Sequence, residues 1–218
     1  MAIRMGELRK LLGETIAVDF INEGFSFNKS EFSFQKKIEK NKVRCLFLFN
    51  TFSTQQEYFF TFKFTISEIQ SELKKFWNYY SEEYIMPYSF SVNEGCLNPR
   101  VKAQPSKYRV SYANRVFEVE DCLLMIDETR NLIRNEFFKR MDIFTDLKRF
   151  QDYIIQNPRE PVDLQLVWPA LIAMLMHSRE ELNKFIHYLT KECQSIYLPD
   201  KKDLDWMTSR VLEYSEKS

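Results

Sequence analysis

Between Phe32 and Ile66 the chain takes up a hydrophobic period of two, and apolar side chains recur at alternate positions through three successive runs. Alternation is the mark of strands with one buried face. A turn at Lys40 and Asn41 sets Ile38 against Val43, Phe34 against Phe47 and Phe32 against Phe49, all apolar pairs. A second loop at STQQ, residues 53–56, sets Phe49 against Phe60, Phe47 against Phe62, Cys45 against Phe64 and Val43 against Ile66. The same central residues serve both hairpins. Because a one-residue slip would turn all of them to the opposite face, the pattern predicts an antiparallel three-stranded meander with its phenylalanines on one side. Each ring contributes about 1.5–3 kcal/mol when buried, so that side is predicted to lie under helices.

The other side carries Gln35, Lys37, Arg44, Thr61, Lys63 and Thr65, with Leu46, Leu48 and Phe59 among them. Arg44, Leu46, Leu48, Phe59 and Lys63 mix apolar anchors with charge in the manner of a protein interface, and they are the candidate partner-binding residues. The expectation is that Leu46 and Leu48 are buried and Phe59 partly exposed. Phe59 flanked by Arg44 and Lys63 also has the layout of a base-stacking sheet, which makes RNA binding an alternative, although no RNA-binding sequence signature accompanies it.

The flanking segments are helical. Leu8, Leu11, Leu12, Ile16 and Phe20 form one face of an N-terminal helix, ended by Gly24 as a left-handed cap with Phe25 folding back on the last turn. After the meander, SEIQ at residues 67–70 has the form of a capping box for a helix whose apolar face is Ile69, Leu73, Phe76, Trp77 and Tyr80. Residues 81–106 hold Pro87, Gly95, Pro99 and Pro105 and are predicted to be a long irregular loop, a candidate lid. KYRVSYANRVFEVE, residues 107–120, is predicted to be a second hairpin turning at Asn114 and Arg115. The remainder is helical, with Thr145 as one cap, Asn157–Pro158 as a stop, a helix over about 163–176 kinked or begun near Pro169, a Ser178–Glu181 capping box, and a terminal amphipathic helix on Leu204, Met207, Val211 and Tyr214. The fold class is α+β: a sheet region over 1–120 and a helical region over 121–218 packed on it as one continuous domain.

Several functions are disfavoured by composition. Four glycines in 218 residues, none clustered, leave no phosphate-binding loop or dinucleotide fingerprint, and no cofactor is implied. Equal numbers of basic and acidic residues, 31 each, argue against a general nucleic-acid binder. The longest late apolar stretch, Leu164 to Met176, is too short to span a bilayer, which takes about 20 residues. The first 20 residues lack the apolar core of a signal peptide, and the four cysteines show no paired spacing, so a reduced cytoplasm is the expected setting.

Candidate chemistry is sparse. Glu118, Glu120 and Asp121 cluster at a strand-to-helix junction; they suit the positive end of a helix, and as an alternative could hold a hard metal for a small hydrolase. Cys122 or Cys193 with His177 or His187 is the other enzymatic option, without a local motif to single out either thiol. The GF after the first helix, the aromatic and charged meander and FFKRMDIFTDL, spanning roughly residues 1–155, resemble a family of uncharacterised bacterial proteins known as a domain of unknown function. Members are similar in size and architecture to immunity proteins, which implies a non-catalytic, protein-binding role, immunity-like or adaptor, with another protein as partner.

Overall fold

The computed structural model describes residues 5–52, 55–82, 90–93, 119–164, 166–195 and 198–217; at 5, 49–52, 55–59, 90–93, 119–122, 124 and 125 the backbone alone is described. The fold is α+β. Helix α1 (Met5–Asn22) precedes strands β1 (Ser26–Asn28), β2 (Ser33–Ile38), β3 (Asn41–Phe52) and β4 (Gln55–Thr65). Helix α2 (Ser67–Tyr79) and strand β5 (Phe90–Asn93) follow, and the rest of the described chain is helical. The strands lie in the order β1-β2-β3-β4-β5, each beside its neighbour in sequence. Two compact units emerge. One comprises Met1–Ile38, Lys42–Lys63 and Val92–Met141, the other Glu39–Asn41, Phe64–Ser91 and Asp142–Ser218.

In the first unit, α1 ends as its sequence dictates. Gly24 takes φ +80°, its N–H bonds to Ile21 O at 2.9 Å, and Phe25 N–H reaches Phe20 O at 2.9 Å. These two bonds satisfy orphaned carbonyls, and the Phe20 and Phe25 rings, 5.0 Å apart and edge-on, seal the cap. The chain then enters β1, antiparallel to β2 with Phe27 opposite Phe34. This extra hairpin is absent from the predicted meander. It turns through residues 29–32, where the Asn28 side chain accepts from Ser30 N–H at 3.1 Å.

The first meander turn and the start of β4 differ from those predicted, while the faces stay as predicted. The first falls on Glu39 and Lys40, one residue early, with Glu39 at φ +52°. Phe47 N–H accordingly bonds to the Phe32 carbonyl at 3.2 Å. The second leaves only residues 53–54 between strands, and the Phe60 ring lies 5.4 Å from Phe47. The first change moves the register by two residues, which preserves the inward set where a shift of one would invert it. Phe34, Val43, Cys45, Phe47, Phe60 and Phe62 are all buried.

Helix α3 (Val119–Leu132) runs on through a π turn (Ile133–Phe137) and a last turn (Phe138–Arg140). Its start places Val119 and Glu120 in a helix, not in the predicted hairpin strand; the rest of that hairpin, 107–118, lies outside the described residues. Helices α1 and α3 cover the phenylalanine face: Phe20 stacks on Phe34 at 4.2 Å, and Phe137 on Phe62 at 3.5 Å. Between them the buried Asp19 accepts from Arg130 Nε at 2.6 Å and Nη2 at 3.1 Å, and from Arg134. Burial alone would raise the Asp19 carboxyl, but the two arginines outweigh it and hold it below the ordinary carboxylate range.

In the second unit, α6 (Val167–His177) is the buried axis. Before it stand a 3₁₀ turn (Ile143–Thr145), α4 (Leu147–Gln156) and the single turn α5 (Glu160–Asp163); after it come α7 (Arg179–His187), closed by a π turn (Tyr188–Glu192), and α8 (Lys201–Ser215). Pro169 sits in the first turn of α6, where its missing N–H costs no bond. Helices α2, α4, α7 and α8 all pack on α6, and Gln151 Nε2 donates to the Ala173 carbonyl at 2.9 Å from α4.

The caps are partly those expected. Ser178 Oγ accepts from Glu181 N–H at 3.1 Å, as the capping box predicts. Asp146 rather than Thr145 caps α4, accepting from Arg149 N–H at 2.8 Å. Ser67 does not cap α2; instead its N–H is taken at 2.8 Å by the Oδ1 of the buried Asn41, whose Nδ2 donates to the Thr145 carbonyl at 2.6 Å. One amide side chain thus serves the start of α2 and the 3₁₀ turn together.

Candidate functional site

Among the described residues, aromatic and charged side chains gather where the C-terminal turn of α2 meets α6 and α8. Phe76, Trp77, Tyr79 and Tyr80 come from α2, Trp168 from α6, and Trp206, Arg210, Glu213 and Lys217 form an i, i+4, i+7, i+11 stripe running off α8. Phe76 is buried and roots the cluster, 5.5 Å from Trp168 and 5.3 Å from Tyr214. Trp77 and Trp168 stand 5.2 Å apart, Trp168 and Trp206 5.8 Å at 88°, and Trp77 and Trp206 6.5 Å. All three tryptophans of the chain are therefore in mutual contact. At these distances the rings fill the space between them, so the cluster is a solid surface and not a cage for a cation.

Its outer part is open. Trp206 is 43% exposed and Tyr79 39%. The Arg210 guanidinium lies over both Tyr80 and Trp206, 4.4 and 4.5 Å from the ring centres, and its Nη1 donates to Glu82 Oε1 at 2.6 Å. Tyr80 donates its hydroxyl to the Arg210 carbonyl at 2.7 Å; burial, then neighbouring Glu213, pushes this phenol up to about 12, so it stays a donor.

A cleft of about 610 Å³ lies in the same unit between α4, α6 and α7, with Ile154, Met174 and Phe185 in its walls. Its charged groups face one another. Lys184 pairs with Glu180 and Glu181, bonds that push its ammonium up, and His187 Nε2 lies 3.4 Å from Glu192. Tyr188, at the cleft, is raised by burial and by its hydrogen bond with Cys193. Among the described residues with a resolved displacement, Asp19, Glu68 and Glu180 are lowered, and Lys75, Lys184, Lys217, Arg130, Tyr80 and Tyr188 are raised. Each group is thereby held in the state it already has at neutral pH.

The predicted partner-binding residues fare unevenly. Arg44 is half-buried and ion-paired with Glu31; Leu46 and Lys63 are half-buried. Leu48, expected to be covered, is exposed at 36%, whereas Thr61 on the same face is buried at 7%. The Phe59 side chain is outside those described. The predicted 81–106 loop contains β5; its other residues from 83 on are outside the described set. Among the described residues no three His, Cys, Asp or Glu side chains are grouped as metal ligands; Glu118 and the side chains of Glu120, Asp121 and Cys122 lie outside that set. His177 and His187 are both exposed, and Cys193 is half-buried with its N–H donating to the Tyr188 carbonyl at 2.9 Å. No described helix is long and apolar enough to cross a membrane.

The tryptophan cluster is the site the sequence reading missed. Its signals were present as the WNYY run and the W-x3-R-x2-E stripe of α8, but the helices that meet are 91 and 38 residues apart in sequence (77 to 168, 168 to 206). Neither the family models, nor the curated proteins, nor the solved structures include a match to this chain.

Proposed function

We propose that this chain is a non-catalytic cytoplasmic module that binds another protein, in an immunity-like or adaptor role. The observation that carries the reading is the aromatic surface of the exposed Trp206 and Tyr79 and the half-buried Tyr80, with Arg210 held against Tyr80 and Trp206. Trp, Tyr and Arg supply most hot-spot energy in protein interfaces, and large rings rooted on a buried Phe76 lose little freedom on binding.

The test is affinity capture from the native host with the wild-type chain and with Trp206→Ala. Removing this ring, 43% exposed, leaves the core intact and should reduce recovery of the specific partner about tenfold or more. Leu48→Ala on the sheet face is the comparison. Equal recovery with wild type and Trp206→Ala, alongside loss with Leu48→Ala, would return the interface to the sheet; capture of no partner by any form would end the binding reading.

A further inference from the structure

We infer that the partner, on the protein-binding reading above, docks a carboxylate onto the Nε/Nη2 edge of Arg210. The guanidinium is fixed on three sides, by the Tyr80 ring, by the Trp206 ring and by Glu82, which takes Nη1 only. Nε and Nη2 have no acceptor among the described residues, and neither is buried away from solvent. These two nitrogens form the parallel donor pair that matches the two oxygens of a carboxylate. The same protein shows the pair occupied: Arg130 presents its Nε and Nη2 to the two oxygens of Asp19 at 2.6 and 3.1 Å. At Arg210, whose side chain is 24% exposed, the equivalent edge has no such acceptor among the described residues and stands beside rings that would shed water from an arriving acid. Glu82 need not leave, because it occupies a different nitrogen.

The occupant is an Asp or Glu side chain, or a chain terminus, carried next to an apolar residue that covers Trp206. A random heptapeptide array probed with the labelled full-length chain tests this. Binders to wild type should be enriched in acidic residues beside an aromatic or aliphatic one. Replacing the acid of the best binder by its amide should weaken it about tenfold, the loss of a bidentate charged pair. Arg210→Lys keeps the charge but loses fork and stacking, and should abolish the preference. Glu82→Gln leaves the Nε/Nη2 edge untouched and should keep it, which guards against misreading a folding defect. In a ¹⁵N spectrum the Arg210 Nε–H resonance should move with the acidic peptide and not with its amide form.

Binders of equal affinity in acid and amide form would overturn the carboxylate inference and leave the binding module standing. An equal response of Arg210 Nε–H to inorganic phosphate would reduce the edge to a general anion site and overturn it too. Failure of both the array and host capture would remove the binding reading itself.

Discussion

Replacing Phe47 by alanine tests the sheet at its centre. The ring is 2% exposed and touches three others, with centroids 5.8 Å from Phe32, 6.1 Å from Phe34 and 5.4 Å from Phe60. Deleting a fully buried Phe side chain costs about 3–5 kcal/mol, in transfer energy plus the cavity left behind. Three aromatic neighbours, each worth about 0.5–1.5 kcal/mol beyond area, place this site toward the upper end. Domains of this size are stable by about 5–15 kcal/mol, so the variant should lose a large fraction of its stability. Urea titration followed by far-UV circular dichroism measures it, with Leu48→Ala, exposed at 36%, expected to move the midpoint little. A loss below about 1 kcal/mol for Phe47→Ala would mean that the ring does not fill the space between β2 and β4.

Asp19→Asn should cost about 1–3 kcal/mol at neutral pH by removing the charged acceptor of Arg130 and Arg134. A carboxyl whose pKa falls on folding contributes stability that is complete above its unfolded value, about 4, and vanishes as pH drops through the folded one; the variant should narrow its deficit over that acid window, and a pH-independent deficit would refute the linkage. Asn41→Ala leaves the buried Thr145 carbonyl and the Ser67 N–H without their shared partner and should cost about 1–3 kcal/mol, read from the thermal midpoint. Gly24→Ala meets only ordinary contact with Lys36 but must adopt φ +80°, so about 1–2 kcal/mol is expected from the backbone alone; an unchanged midpoint would refute the left-handed cap.

The pattern from Phe32 to Ile66 revealed which side chains face inward, because alternation encodes face. It could not locate the turns, since a shift of two residues leaves every face unchanged, and the turn at Glu39 and Lys40 differs by such a shift. Strand β1 escaped notice for another reason: three residues, Ser26–Asn28, of which Ser26 and Phe27 are exposed, carry no alternation to detect. The caps at Gly24 and Ser178 were legible because their signals are local, and that of α4 was placed one residue early at Thr145, whereas the Asn41 bond to Ser67 spans 26 residues and leaves no local mark. The aromatic site was harder still. Trp77, Trp168 and Trp206 each read as one member of a helix face, and only tertiary packing brings them together.

That convergence makes the protein report on itself. Since the chain has three tryptophans and all belong to the second unit, excitation at 295 nm sees that unit alone, while the first unit, built on phenylalanine, is dark at this wavelength. Rings 5.2–6.5 Å apart also couple electronically, so the near-ultraviolet dichroism carries a signature of their mutual packing. Comparing tryptophan emission with backbone dichroism through one denaturation then asks, without any label, whether the two units melt as one or in turn.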